Sequence, residues 1–133
     1  MIHRELKIGR WHVDFLFATG KYDVKEISET LYEAGASEMV LHQSEDLMWM
    51  CDYNCGFTFA NPRTRCAVVV IGPTTSGAEF QDTFVHEIHH LAVAIADSLG
   101  INLEGEGPAY IAGDAARDLA EVVCELGCSH CNR

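Results

Sequence analysis

The sequence predicts an α+β fold, a small and mainly antiparallel three-stranded sheet packed by about four helices, in a single domain over residues 1–133. Three observations carry this expectation. The stretch at 10–18 alternates apolar and polar residues with the period of a half-buried strand. Two β-rich runs flank the turn-prone "NPRT", the pattern of a hairpin. Apolar residues elsewhere recur at helical spacing between capping residues and C-terminal glycines.

In chain order, Trp11, Val13, Phe15 and Phe17 give the first strand its buried face. Asp23 followed by Glu26 reads as a capping box for a short helix whose face is Val24, Ile27 and Leu31, with Gly35 as its stop. Ser37 caps a second helix running to about Met50. "GFTFA" and "RCAVVVIG" supply the hairpin strands at 56–60 and 65–72, and Pro73 ends the pairing. Ser76 with Glu79 opens a long helix over about 77–99, with Phe84, Ile88, Leu91, Ile95 and Leu99 on one face and Gly100 beyond its end. Pro108, a favoured first-turn residue, begins a last helix that ends near Gly127, followed by the tail "CSHCNR".

Composition narrows the function classes. The chain is 48% hydrophobic and 22% charged, as ordinary globular domains are. Nine Lys+Arg against twenty Asp+Glu give a net charge of −11, which repels a phosphate backbone, so nucleic acid is not expected as a partner. No apolar run has the length of a membrane helix, and "MIHRELKIGRW" lacks the apolar core of a secretory signal, so the expected location is cytoplasmic, with no membrane partner. In that setting the six cysteines are expected as reduced thiols or metal ligands. Cys124, Cys128 and Cys131 with His130, and separately Cys51 with Cys55, are the two groups able to hold a structural metal, though neither has paired C-x2-C spacing.

The chemistry concentrates in the long helix, where His86, Glu87 and His90 stand as H-E-x-x-H. Residues four apart are neighbours on a helix surface, so His86 and His90 can grip one metal ion. Glu87, one residue after the first ligand, is placed as the general base that takes a proton from the attacking water. A catalytic zinc takes three protein ligands and keeps one position open. "LEGEGPAY" offers Glu106 as the third ligand, with Glu104 as the alternative. A chance match in a histidine-rich helix is the competing explanation, and the acidic loop that follows weighs against it. His89 points about 100° away from its neighbours and reads as a rim histidine, while His3, His12 and His42 read as surface or core-edge residues.

"FVHEIHHLA" followed by "GEGPAY" resembles the gluzincin branch of the zincin-like metalloproteases. "GFTFANPRTRCAVVVIG", "GPAYIAGDAARD" and the cysteine-bearing end are similar to small zincin-type proteins encoded by phages and prophages of gut bacteria, a resemblance spanning residues 23–131. It implies a minimal zincin-like fold, zinc at His86, His90 and Glu106, and Glu87 as base in a metallopeptidase acting on a peptide or protein substrate. It also implies an edge strand that holds an extended peptide, for which 65–72 is the expected segment. A zinc-binding module that recognises a partner without turnover is the alternative. The chain departs from the gluzincin pattern at Tyr110, where an aspartate is usual four residues after the ligand glutamate. Tyr110 is thus a candidate for stabilising the oxyanion or a packed aromatic, and Asp97 and Asp114 are candidate partners of the histidines.

Overall fold

The computed structural model describes residues 1–128. Its elements are β1 (Ile2–Ile8), β2 (Trp11–Phe17), α1 (Val24–Glu33), α2 (Glu38–Met50), β3 (Gly56–Asn61), β4 (Cys66–Ile71), α3 (Gly77–Ser98), α4 (Gly107–Asp118) and α5 (Ala120–Gly127). The α+β class holds, but the sheet has four strands and is mixed, in the order β1-β2-β4-β3.

The additional strand is β1. Its residues Ile2, Leu6 and Ile8 pack on the core, but Arg4 interrupts their alternation, so the segment reads as a charged terminus in the sequence. It pairs antiparallel with β2 from Ile2↔Phe17 to Ile8↔Trp11. Only two residues close that hairpin, and Gly9 takes the positive φ (+59°) such a tight loop demands.

The expected hairpin of β3 and β4 is present, with Gly56 opposite Ile71 and Asn61 opposite Cys66. β4 then pairs parallel with β2, His12 opposite Cys66 and Phe17 opposite Ile71, which corrects the mainly antiparallel expectation. A parallel pair needs a long crossover, and α1, α2 and β3 supply it. The same pairing puts β4 in the middle of the sheet, bonded on both edges, so 65–72 is not an edge strand. β3 is, since among the described residues no strand adds to its outer side.

Helices cover both faces of the sheet. On one, Phe15, Phe17, Val69 and Ile71 meet Phe80, Phe84, Ile88 and Leu91 of α3, with Leu119 and Val122 closing the side. On the other, Leu16, Val68 and Val70 meet Ile27 and Leu31 of α1. Each such fully buried side chain contributes about 1.5–3 kcal/mol.

Local signals mostly act as expected. Ser37 Oγ accepts from Val40 N at 3.3 Å, and Ser76 Oγ from Glu79 N at 3.1 Å. Asp23 is an exception: its Oδ2 accepts from Gly20 N at 2.8 Å, tying the preceding turn instead of capping α1. The last helix, expected to be continuous, bends at Leu119 into α4 and α5, so that Ala115 and Val122 reach the same core. No helix of the described residues is long and apolar enough to cross a membrane.

Candidate metal centre

α3 is amphipathic in a way that sorts the motif. Phe80, Phe84, Ile88, Leu91 and Ile95 face inward, His86 and His90 remain exposed, and Glu87 falls between them, 5% exposed. The flank of α3 carrying these three residues lies along β3, across a cleft of about 490 Å³ lined by Gly56, Phe57, Thr58, Ala60, His86, Glu87, His90 and Ala94.

Within it the two imidazoles stand edge to face, with ring centroids 4.8 Å apart and Nε2 atoms 3.2 Å apart. Two nitrogens on one tetrahedral zinc, each about 2.05 Å from it, are separated by roughly 3.3 Å. The pair is therefore spaced as two imidazoles sharing one metal ion are. Ligand atoms of His86, Glu87 and His90 all lie within 4.8 Å of one another, and this donor set fits a divalent metal ion.

Glu87 is held from the sheet. Thr58 Oγ1 lies 3.0 Å from Glu87 Oε1, to which it donates, and 3.2 Å from the Glu87 carbonyl oxygen. One hydroxyl on the edge strand thus fixes both the carboxylate and the backbone of the motif. Gly56, two residues earlier on the same face, permits the approach: a Cβ there would lie 2.8 Å from the Val70 carbonyl oxygen and 3.1 Å from Glu87 Cγ. Thr58 was missed in the sequence, although the small residues of G-x-T-x-A on one strand face signal a helix packed close against it.

The remaining predicted residues are placed elsewhere. Glu104 and Glu106 are exposed in the loop after α3 and at the N-cap of α4, and neither joins the three-residue donor group. Topology explains this. α4 packs against α3 and β1, whereas the histidines face β3, at the opposite edge of the sheet. Glu106 also lies beyond the end of α3, whose Ser98 is about 12 Å along the axis from His90. Tyr110 is 68% exposed on α4 and does not line the cleft. Asp114 pairs with Arg117 (3.4 Å) on its own helix instead of with a histidine. His89 is exposed, its ring 6.2 Å from that of His90, outside the donor group as expected.

Cys51 and Cys55 bring their sulfurs together, with Cα atoms 6.4 Å apart, within the span of a disulfide, where reduced thiols or metal ligands were expected. Cys124 lies on α5 and Cys128 just after it, while His130 and Cys131 lie outside the described residues, as does any metal group they would complete. A separate cavity of about 500 Å³ between α2 and the sheet includes Leu47, Met48 and Val70, and meets the histidine cleft only at Gly56 and Phe57. It holds none of the three motif residues, which line the more polar cleft. No family model, curated protein or solved structure matches the chain, and the functional reading therefore rests on this geometry.

Proposed function

We propose that the protein is a zinc-dependent peptidase in which His86 and His90 hold the ion and Glu87 is the general base. The observation that carries the reading is the 3.2 Å separation of the two Nε2 atoms beside a buried carboxylate fixed by Thr58. A bound zinc would supply Lewis acidity, polarising a carbonyl and making water a better nucleophile at neutral pH. Glu87 would take the proton released as water attacks and return it to the leaving amine, and Thr58 would keep its carboxylate aimed into the cleft. The outer edge of β3 offers unpaired backbone amides and carbonyls along that cleft, so an extended peptide would add to it as a further strand.

Two imidazoles are one ligand short of the usual catalytic set. The sequence resemblance names Glu106 for that place, with Glu104 as the alternative, and because both lie away from the histidines in this fold, either would have to be carried in by movement of the loop before α4. A zinc-binding module for partner recognition is the second reading, favoured by one fact: the third donor that the structure brings to the histidines is Glu87 itself.

Glu87→Gln separates the two. As the base, Glu87 can be replaced with zinc content unchanged and turnover of a peptide library reduced by on the order of 10²-fold or more. As a ligand, its loss empties the site. Parent protein that holds zinc but cleaves nothing would favour the second reading. Zinc content unaffected by His86→Ala with His90→Ala would overturn both. Among the acids, loss of the metal in Glu106→Ala or Glu104→Ala would assign the third ligand to that residue and require its loop to fold onto the histidines when the ion binds, whereas metal retained in both would leave Glu87 as the third donor.

A further inference from the structure

The hairpin of β1 and β2 brings together a second set of metal-ligating side chains that the helix motif does not involve. Alternation along the strands puts His3 and Glu5 on the same sheet face as His12 and Asp14, the face opposite Trp11, Val13 and Phe15. α1 buries Leu16 on this face. Lys7, opposite His12, shares the face, and farther along the hairpin His3, Glu5 and Lys7 are exposed while His12 and Asp14 are half-buried.

Two carboxylates face each other in this register. Glu5 and Asp14 are direct cross-strand partners, and like charges at that position are destabilising. Around them, His3 Nε2 lies 2.8 Å from Asp14 Oδ1 and His12 Nε2 lies 3.6 Å from Asp14 Oδ2. Donor atoms of His3, Glu5 and Asp14 fall within 4.8 Å of one another, without any residue from α3.

We propose that His3, Glu5 and Asp14 form a second metal site, with His12 beside the other oxygen of Asp14, and that it takes a first-row divalent transition ion such as zinc or cobalt. The donor chemistry sets that class. Imidazole with carboxylate suits borderline transition ions, whereas calcium and magnesium prefer sites built from oxygen alone. An ion here neutralises the facing carboxylates and ties the edge strand β1 to β2 through side chains of both.

The test uses the untagged protein carrying His86→Ala and His90→Ala together with Cys128→Ser and Cys131→Ser, so that neither the helix pair nor the C-terminal cysteines contribute. Titration with cobalt(II), followed by its visible absorption and by elemental analysis, should give one ion per chain. Adding His3→Ala and Asp14→Asn should weaken that binding at least tenfold. His3 is exposed and Asp14 half-buried, and an unchanged far-ultraviolet circular dichroism spectrum checks that the fold is kept. Bound cobalt should also slow amide exchange in residues 2–8. Absence of cobalt uptake in the starting variant would overturn the site, and so would uptake that survives loss of His3 and Asp14.

Discussion

At the scale of single residues, the candidate site depends on Thr58 and Gly56 as much as on the histidines. Thr58→Val keeps the shape of the side chain and removes the donor to a nearly buried carboxylate. Leaving such a group short of a partner costs about 1–3 kcal/mol, which chemical denaturation would measure. Zinc content should stay at the parent level because Thr58 is not a donor to the ion, while any peptidase turnover should fall about tenfold as Glu87 loses its orientation. Gly56→Ala acts by crowding. Its new methyl group would press on the Val70 carbonyl oxygen, part of the adjoining strand, as well as on Glu87 and Thr83. The expected destabilisation is about 1–3 kcal/mol, and a melting temperature equal to the parent's would show that β3 and α3 are not packed this closely.

At the scale of elements, the decisive pair is α3 against β3. α3 presents its apolar stripe to the sheet and its histidines to the cleft, and β3 contributes both the hydroxyl that holds Glu87 and an edge open to pairing. A peptide-like hydroxamate bound at the ion should therefore slow amide hydrogen exchange in residues 56–61. Residues 66–71 should change little, because β4 is already bonded on both edges. Protection confined to 66–71 would contradict the arrangement. The long helix was legible because Ser76, the recurring apolar residues and the glycine after its end all agree. The bend between α4 and α5 was not, since Leu119 carries no local breaking signal and bends only to keep its neighbours on the core.

At the scale of the whole molecule, one sheet serves two cores, so neither helical layer should unfold alone. Phe17, fully buried, packs on Phe80 and Phe84 with ring centroids 6.2 and 6.3 Å away. Phe17→Ala should cost about 3–5 kcal/mol, with a single transition reported alike by far-ultraviolet circular dichroism and tryptophan fluorescence. Separate transitions would show that the layers are independent. By itself the sequence determined the α+β class, the hairpin of β3 and β4, the extent of α3, and the meeting of His86 and His90, because a helix repeats every 3.6 residues and a hairpin turn is short-range. It also carried an unread sign of the central strand, the uninterrupted apolar run Ala67–Ile71, which is buried on both faces. Only the tertiary structure decided that β2 and β4 run parallel, that β3 is an edge strand and β4 is not, that α4 packs on the side of α3 away from the histidines, and that His3 and His12 flank Asp14. Those outcomes depend on which distant segments pair and which flank of a helix each one covers, and no local periodicity encodes that choice.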